Sequence, residues 1–155
     1  MYWPEGIIFD WDNTLVDSWG HDHYAINQTL KKFAAPAWSL SKTKEAFAIA
    51  PKNFFPLFFP DDPIKAEEIF FSFPFEPKPL PGIDMLLSSL CQYGIKLSVL
   101  SNTPGILLRQ QVDSLGWRKY FHIIIGANDG PFDKPKPQSA TPCLAAMNFP
   151  NHVWF

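Results

Sequence analysis

Gly6-Ile7-Ile8-Phe9-Asp10-Trp11-Asp12-Asn13-Thr14-Leu15-Val16-Asp17-Ser18 is the stretch on which the reading of this 155-residue chain turns. It opens as an apolar run too short for a helix, and that run delivers two carboxylates one residue apart. In an open α/β sheet the carboxyl ends of the strands form the ligand-binding edge. A buried strand that stops at Asp10 and Asp12 therefore builds a site there. Two close carboxylates repel and need a cation or a shared proton. A hard cation with oxygen ligands, Mg²⁺ above all, suits them. An EF-hand loop counted from Asp10 would need glycine sixth and glutamate twelfth, and the chain has Leu15 and His21 there. A plain polar turn after a strand needs no chemistry, and on Asp10 and Asp12 alone it competes evenly.

Composition narrows the class. Hydrophobic residues are 46% and charged residues 18%, the balance of a folded globular protein with one real core and room for a small appended module. The net charge of −2 shows no basic excess for nucleic acid and no acidic tail. No apolar stretch approaches the roughly 20 residues of a membrane-spanning helix. Met1-Tyr2-Trp3-Pro4-Glu5 lacks the basic start and apolar middle of a signal peptide. A cytoplasmic protein without membrane or nucleic-acid partners is expected, its oligomeric state open. Cys91 and Cys143 lie far apart in apolar, helix-like contexts, which reads as buried small hydrophobes in a reducing compartment.

Along the chain, strand and helix alternate around an insert. Tyr24, Ile26, Leu30 and Phe33 share one helix face. Ser41–Ala50 reads as a second helix capped by Ser41. The stretch from Pro51 to Pro60 is too proline-broken for a long element. Asp62 as N-cap and Pro63 in the first turn start a helix over Ile64–Phe71. Phe73–Pro81 is an extended, proline-rich return. From there a helix over Ile83–Tyr93, a strand over Ile95–Leu100, a helix over Pro104–Leu115, a strand over His122–Ile125, a helix over Pro137–Met147 and a strand beginning at Val153 are predicted. That alternation implies an α/β fold with a parallel sheet of the doubly wound, Rossmann-like kind.

The string Ile7 to Ser18, an apolar strand followed by Asp-x-Asp-x-Thr, an apolar pair and Asp-Ser, resembles the first signature of the haloacid dehalogenase superfamily, mostly phosphohydrolases. The resemblance implies that Asp10 is a nucleophile forming an aspartyl-phosphate and that Asp12 is the general acid and base. The dehalogenases of the family lack an acid two residues after the nucleophile, so Asp12 favours phosphoryl transfer. Lys96 to Thr103, a strand ending in Ser101-Asn102-Thr103, resembles the second signature. There Ser101 would bond a phosphoryl oxygen and Asn102 would orient substrate or phosphate, with the amides of the next helix favouring anions. Lys134-Pro135-Lys136-Pro137 resembles the third signature, with Lys134 as the cation screening nucleophile from phosphate and Lys136 as its fallback.

The resemblance further implies a core formed by residues 1–17 and 80–155 and a helical cap over 18–79 that selects substrate. Residues 151–155 resemble the approach to the fourth signature, whose acids complete the Mg²⁺ site in the family. The expectation is a C-terminally truncated chain. The function expected is a Mg²⁺-dependent phosphohydrolase of a small phosphorylated metabolite, with Asp10 and Asp12 as metal ligands. Two alternatives stand beside it: a catalytically impaired domain with a binding role, and a sugar phosphomutase, for which His21 and His23 at the start of the cap speak.

Overall fold

Gly6, Ile7 and Ile8 are all buried, the unalternating pattern of a strand covered on both faces. A computed structural model describes residues 3–49 and 51–155. The sheet consists of β1 (Gly6–Phe9), β2 (Lys96–Pro104), β3 (Ile123–Ala127) and β4 (Val153–Trp154), all parallel, in the order β3-β2-β1-β4. β1 is therefore interior: Gly6 pairs with Lys96 on one side and Val153 on the other. Asp10 follows directly at its carboxyl end.

Three helices cover this sheet: α5 (Ile83–Gln92), α6 (Gly105–Ser114) and α7 (Thr141–Ala146), numbered after the four helices of the insert. α6 and α7 both pack on β2 and β3, and α5 packs on β2. Ile8 and Leu100 close a core cluster with Ala140, Cys143 and Met147 of the α7 region. Strand alternation turns Ile7, Leu97 and Val99 to the opposite face, where they too are buried. Both faces are covered, the architecture of an α/β doubly wound sheet.

Contacts divide the chain into two compact units, Met1–Asp17 with Pro77–Phe155, and Ser18–Glu76. The second unit holds α1 (Trp19–Lys32), α2 (Leu40–Ala46), α3 (Pro51–Phe58) and α4 (Pro63–Ser72). Its core is aromatic: Trp38, Phe54, Phe55, Phe59 and Phe70 are buried. Phe54 meets Phe55 edge-on with centroids 5.0 Å apart. Asn27 ties α1 to the following loop, its Oδ1 accepting from the Trp38 amide at 2.7 Å. No helix among the described residues is long and apolar enough to cross a membrane.

Several local expectations shift. α2 is capped by Ser39 rather than Ser41: the extended Ser39 accepts from the Lys42 amide at 3.2 Å. The helix ends at Ala46, not at residue 50, and residue 50 lies outside the described residues. The proline-broken stretch forms α3, a helix of 8 residues with Pro56 inside it. An interior proline costs about 3 kcal/mol, while burying Phe54 and Phe55 returns roughly 1.5–3 kcal/mol each, so packing overrides the break. Asp62 caps α4 as anticipated, accepting from the Lys65 amide at 3.1 Å. β2 continues past Leu100 to Pro104, and a 3₁₀ turn over Pro137–Ala140 replaces the first turn of the helix that becomes α7. Cys143 is buried but Cys91 is only half-buried, its Sγ 3.6 Å from the Tyr120 carbonyl.

Candidate active site

The turn after β1 is built around Trp11. Its carbonyl lies within hydrogen-bond reach of the amides of Thr14, Leu15 and Val16, Leu15 being the shortest at 2.9 Å. Asn13 takes the left-handed conformation at φ 59°, which asparagine tolerates better than most residues. The Trp11 side chain is fully buried. It donates to Gln111 Oε1 on α6 at 2.7 Å and meets Trp117 edge-on at 5.9 Å. Trp117 in turn donates to Asp84 on α5 at 2.6 Å. Burying Trp11 leaves exposed Asp10 and half-buried Asp12 on either side of it. Residues 15–17 are held by the returning chain: the Asp17 amide donates to the Lys78 carbonyl, and the Leu80 amide to that of Leu15.

Lys134 Nζ donates to Asp10 Oδ1 at 2.6 Å across 124 residues of chain. Side-chain exposures are 29% for Lys134 and 45% for Asp10, so the pair adds at most about 1 kcal/mol to stability. Its larger consequence is a positive charge placed against one of two neighbouring carboxylates. Lys136, the fallback, lies instead over the Phe132 ring at 5.3 Å. Thr14 Oγ1 is a long 3.5 Å from Asp10 Oδ2.

Two hydroxyls from the end of β2 meet Asp12. Thr103 Oγ1 donates to Asp12 Oδ2 at 2.6 Å, and Ser101 Oγ lies 3.5 Å from the same oxygen. Ser101 also accepts the Thr103 amide at 3.0 Å. Ser101 is the hydroxyl expected from the sequence, and Thr103, whose only signal is to be a second hydroxyl two residues along the same strand, is the one that makes the short contact. Gln111 carried no signal at all. Asn102 Oδ1 is buried without a hydrogen-bond partner, an acceptor left open beside the two hydroxyls in sequence.

Carboxylates and hydroxyls are the hard oxygen donors that Mg²⁺ takes, and Mg²⁺ commonly uses one or two carboxylates while keeping several waters. Asp10 and Asp12 fit that demand. Among the described residues no group of three or more His, Cys, Asp or Glu side chains gathers to hold a metal. His21 and His23 are engaged inside the helical unit, His21 Nε2 lying 3.2 Å from the Phe73 carbonyl and His23 Nδ1 3.0 Å from Thr43 Oγ1.

The amino end of α6 already has an anion against it, the chain's own Asp129. A Cβ on Gly105 would have to displace the Asp129 carboxylate, and one on Gly126 would collide with the Gly105 backbone and the Thr103 carbonyl, so Gly126 needs glycine. Asp129 accepts from both Arg109 nitrogens, at 2.6 and 3.0 Å, and from the Gly126 amide at 2.8 Å. The Arg109 hydrogen bonds hold its carboxyl below the usual range, against the opposing effect of burial. Burial pushes the Cys143 thiol up to about 11, which leaves it a packing residue rather than a nucleophile.

Residues 7–154 match the family model described as haloacid dehalogenase-like hydrolase. The chain is 28% identical to a phosphoglycolate phosphatase of Aquifex aeolicus, over 91% of this chain and 68% of that protein. A haloacid dehalogenase superfamily hydrolase of Ehrlichia chaffeensis superposes with a TM-score of 0.66 at 25% identity, covering 96% of this chain and 74% of that one. A haloacid dehalogenase-like family protein of Streptococcus pneumoniae has the same fold, with a TM-score of 0.81 at 22% identity over 96% and 72% of the two chains. With the two-acid turn after β1 and the family match over nearly its whole length, the chain belongs to the haloacid dehalogenase-like hydrolase family, in its phosphatase branch.

Proposed function

We propose that this chain is a Mg²⁺-dependent phosphohydrolase of a small phosphorylated metabolite, acting in the cytoplasm through an aspartyl-phosphate on Asp10. The observation that carries the reading is Lys134 Nζ against Asp10 Oδ1 at 2.6 Å, with a second carboxylate two residues further on. In this reading an Asp10 oxygen attacks phosphorus while the bond to the leaving oxygen breaks. Asp12 passes its proton to that oxygen. Asp12 then takes a proton from water as the water oxygen attacks phosphorus, the bond to Asp10 breaks, and phosphate departs.

Lys134 reduces the repulsion between the attacking carboxylate and the phosphoryl oxygens. Ser101 is assigned to a phosphoryl oxygen as hydrogen-bond donor, and Asn102 to orienting substrate or phosphate. Mg²⁺, held by an Asp10 carboxylate oxygen and the main-chain carbonyl of Asp12, so that the Asp12 carboxyl is left to carry the proton, would supply Lewis-acid neutralisation of phosphoryl charge. Residues 18–79 take the part of a substrate-selecting cap. The phosphoglycolate phosphatase relatives make a small phosphorylated carboxylic acid the first substrate class to try.

The test is phosphate release from p-nitrophenyl phosphate and phosphoglycolate, with Mg²⁺ and with excess chelator. The parent is expected to release phosphate only with the metal, and Asp10→Asn to fall to background; an Asp10→Asn variant as active as the parent would sink the reading. A second reading, phosphate binding without turnover, is favoured by the lack of a third acid at the site among the described residues. It predicts no phosphate release from the parent together with calorimetric binding of inorganic phosphate.

A further inference from the structure

We propose that Thr103 is the positioning residue for proton transfer, setting the Asp12 carboxylate through its hydroxyl. The inference rests on the reading of Asp12 as general acid and base. The Thr103 Oγ1 to Asp12 Oδ2 distance of 2.6 Å is that of a charge-assisted bond, much shorter than the 3.5 Å from Ser101 to the same oxygen.

The backbone aims Thr103 there. Leu100 pairs with Ile125 and Pro104 with Ala127, so β2 spends four residue steps where β3 spends two. The extra length falls on the Ser101-Asn102-Thr103 segment, and irregularities of this kind re-aim side chains beside sites. The segment is pinned: the Thr103 amide donates to Ser101 Oγ at 3.0 Å, and the Thr103 carbonyl lies where any Gly126 side chain would have to go. A β-branched side chain on a fixed backbone has little χ1 freedom.

The chemistry of the partner also fits the task. A hydroxyl both donates and accepts. Thr103 can donate to Asp12 as a carboxylate and accept from it as a carboxylic acid, so the contact survives both states that Asp12 passes through in a turnover. Lys134, which only donates, suits a group that takes up no proton in the cycle, and it stands against Asp10. Holding Oδ2 fixes the rotation of the carboxyl, and with it the direction in which Asp12 delivers its proton.

Acid assistance matters most for a poor leaving group. In single turnovers that read release of the leaving alcohol, Thr103→Val is expected to slow an alkyl phosphate by about ten- to a hundredfold and 2,4-dinitrophenyl phosphate by about threefold or less, with KM little changed. Thr103→Ser is expected to restore the alkyl phosphate rate. Equal slowing of both substrates, or none, overturns the proposal. Asp12→Asn separates this from the parent reading. If Asp12→Asn keeps its alkyl phosphate rate, the assignment of Asp12 fails; if it loses that rate while Thr103→Val keeps it, only Thr103 is wrong. A crystal structure of Thr103→Val gives a measurement independent of turnover. A rotated Asp12 carboxylate supports the proposal, and an unmoved one overturns it.

Discussion

Trp11 is held more completely than either acid beside it. Its indole is fully buried, its N–H donates to Gln111 and its edge meets Trp117, so the conformation of the Asp10–Asp12 turn is carried by the residue between them. Removing the acceptor leaves a buried N–H without a partner, which costs about 1–3 kcal/mol. Gln111→Leu is therefore expected to lower the unfolding free energy by that amount, read as a lower urea midpoint at unchanged m-value. Gln111→Glu keeps an acceptor oxygen and is expected to lose less; equal midpoints for Gln111→Leu and the parent would show that the indole bond adds nothing.

At the scale of elements, the contact between β3 and α6 rests on close backbone approach and one part-exposed carboxylate. Gly126 and Gly105 let the backbones meet, and Asp129 joins the Gly126 amide to Arg109. The Asp129 carboxyl is lowered, first by the Arg109 hydrogen bonds and then, after the opposing effect of burial, by the Gly126 amide and the Arg109 charge. A folded-state pKa below the unfolded value of about 3.9 gives stabilisation that is fully present above that value and is lost as pH falls through the folded one. Asp129→Asn is expected to cost about 1 kcal/mol at pH 7, discounted for the part-exposed Arg109. The cost should shrink as the acid transition is approached. Urea titrations of both proteins at neutral pH and near pH 3 check this, and a cost independent of pH would contradict it.

At the scale of the molecule, two compact units carry their own apolar clusters, the sheet unit aliphatic between β1, β2 and α7 with the Trp11–Trp117 pair beside it, and the other unit aromatic around α1 to α4. Phe54 touches Trp38, Phe47, Phe55 and Phe58, and large-to-small changes at such positions cost about 3–5 kcal/mol. Phe54→Ala is expected to destabilise residues 18–76 selectively. Native-state hydrogen exchange should show amides of α1 and α4 losing protection while those of β1 and β2 keep theirs. Uniform loss across both units would mean that they unfold as one.

The fold class was legible because it rests on local pattern. Short apolar runs ending in polar residues, alternating with amphipathic segments, leave a parallel α/β sheet as the economical way to bury every apolar face. The Asp-x-Asp turn at the end of β1 could be singled out for the same reason, since its residues are neighbours in the chain. Elements were least legible where packing outweighs propensity, as in α3, whose phenylalanines hold a helix through Pro56. The resemblance of Lys134-Pro135-Lys136-Pro137 to a family signature already put Lys134 ahead of Lys136. Only the tertiary structure decided that Thr103 meets Asp12 and that Gln111 holds Trp11, partners 91 and 100 residues apart. Such contacts are set by strand register and helix docking, which depend on the assembled core and leave no mark on the spacing of residues along the chain.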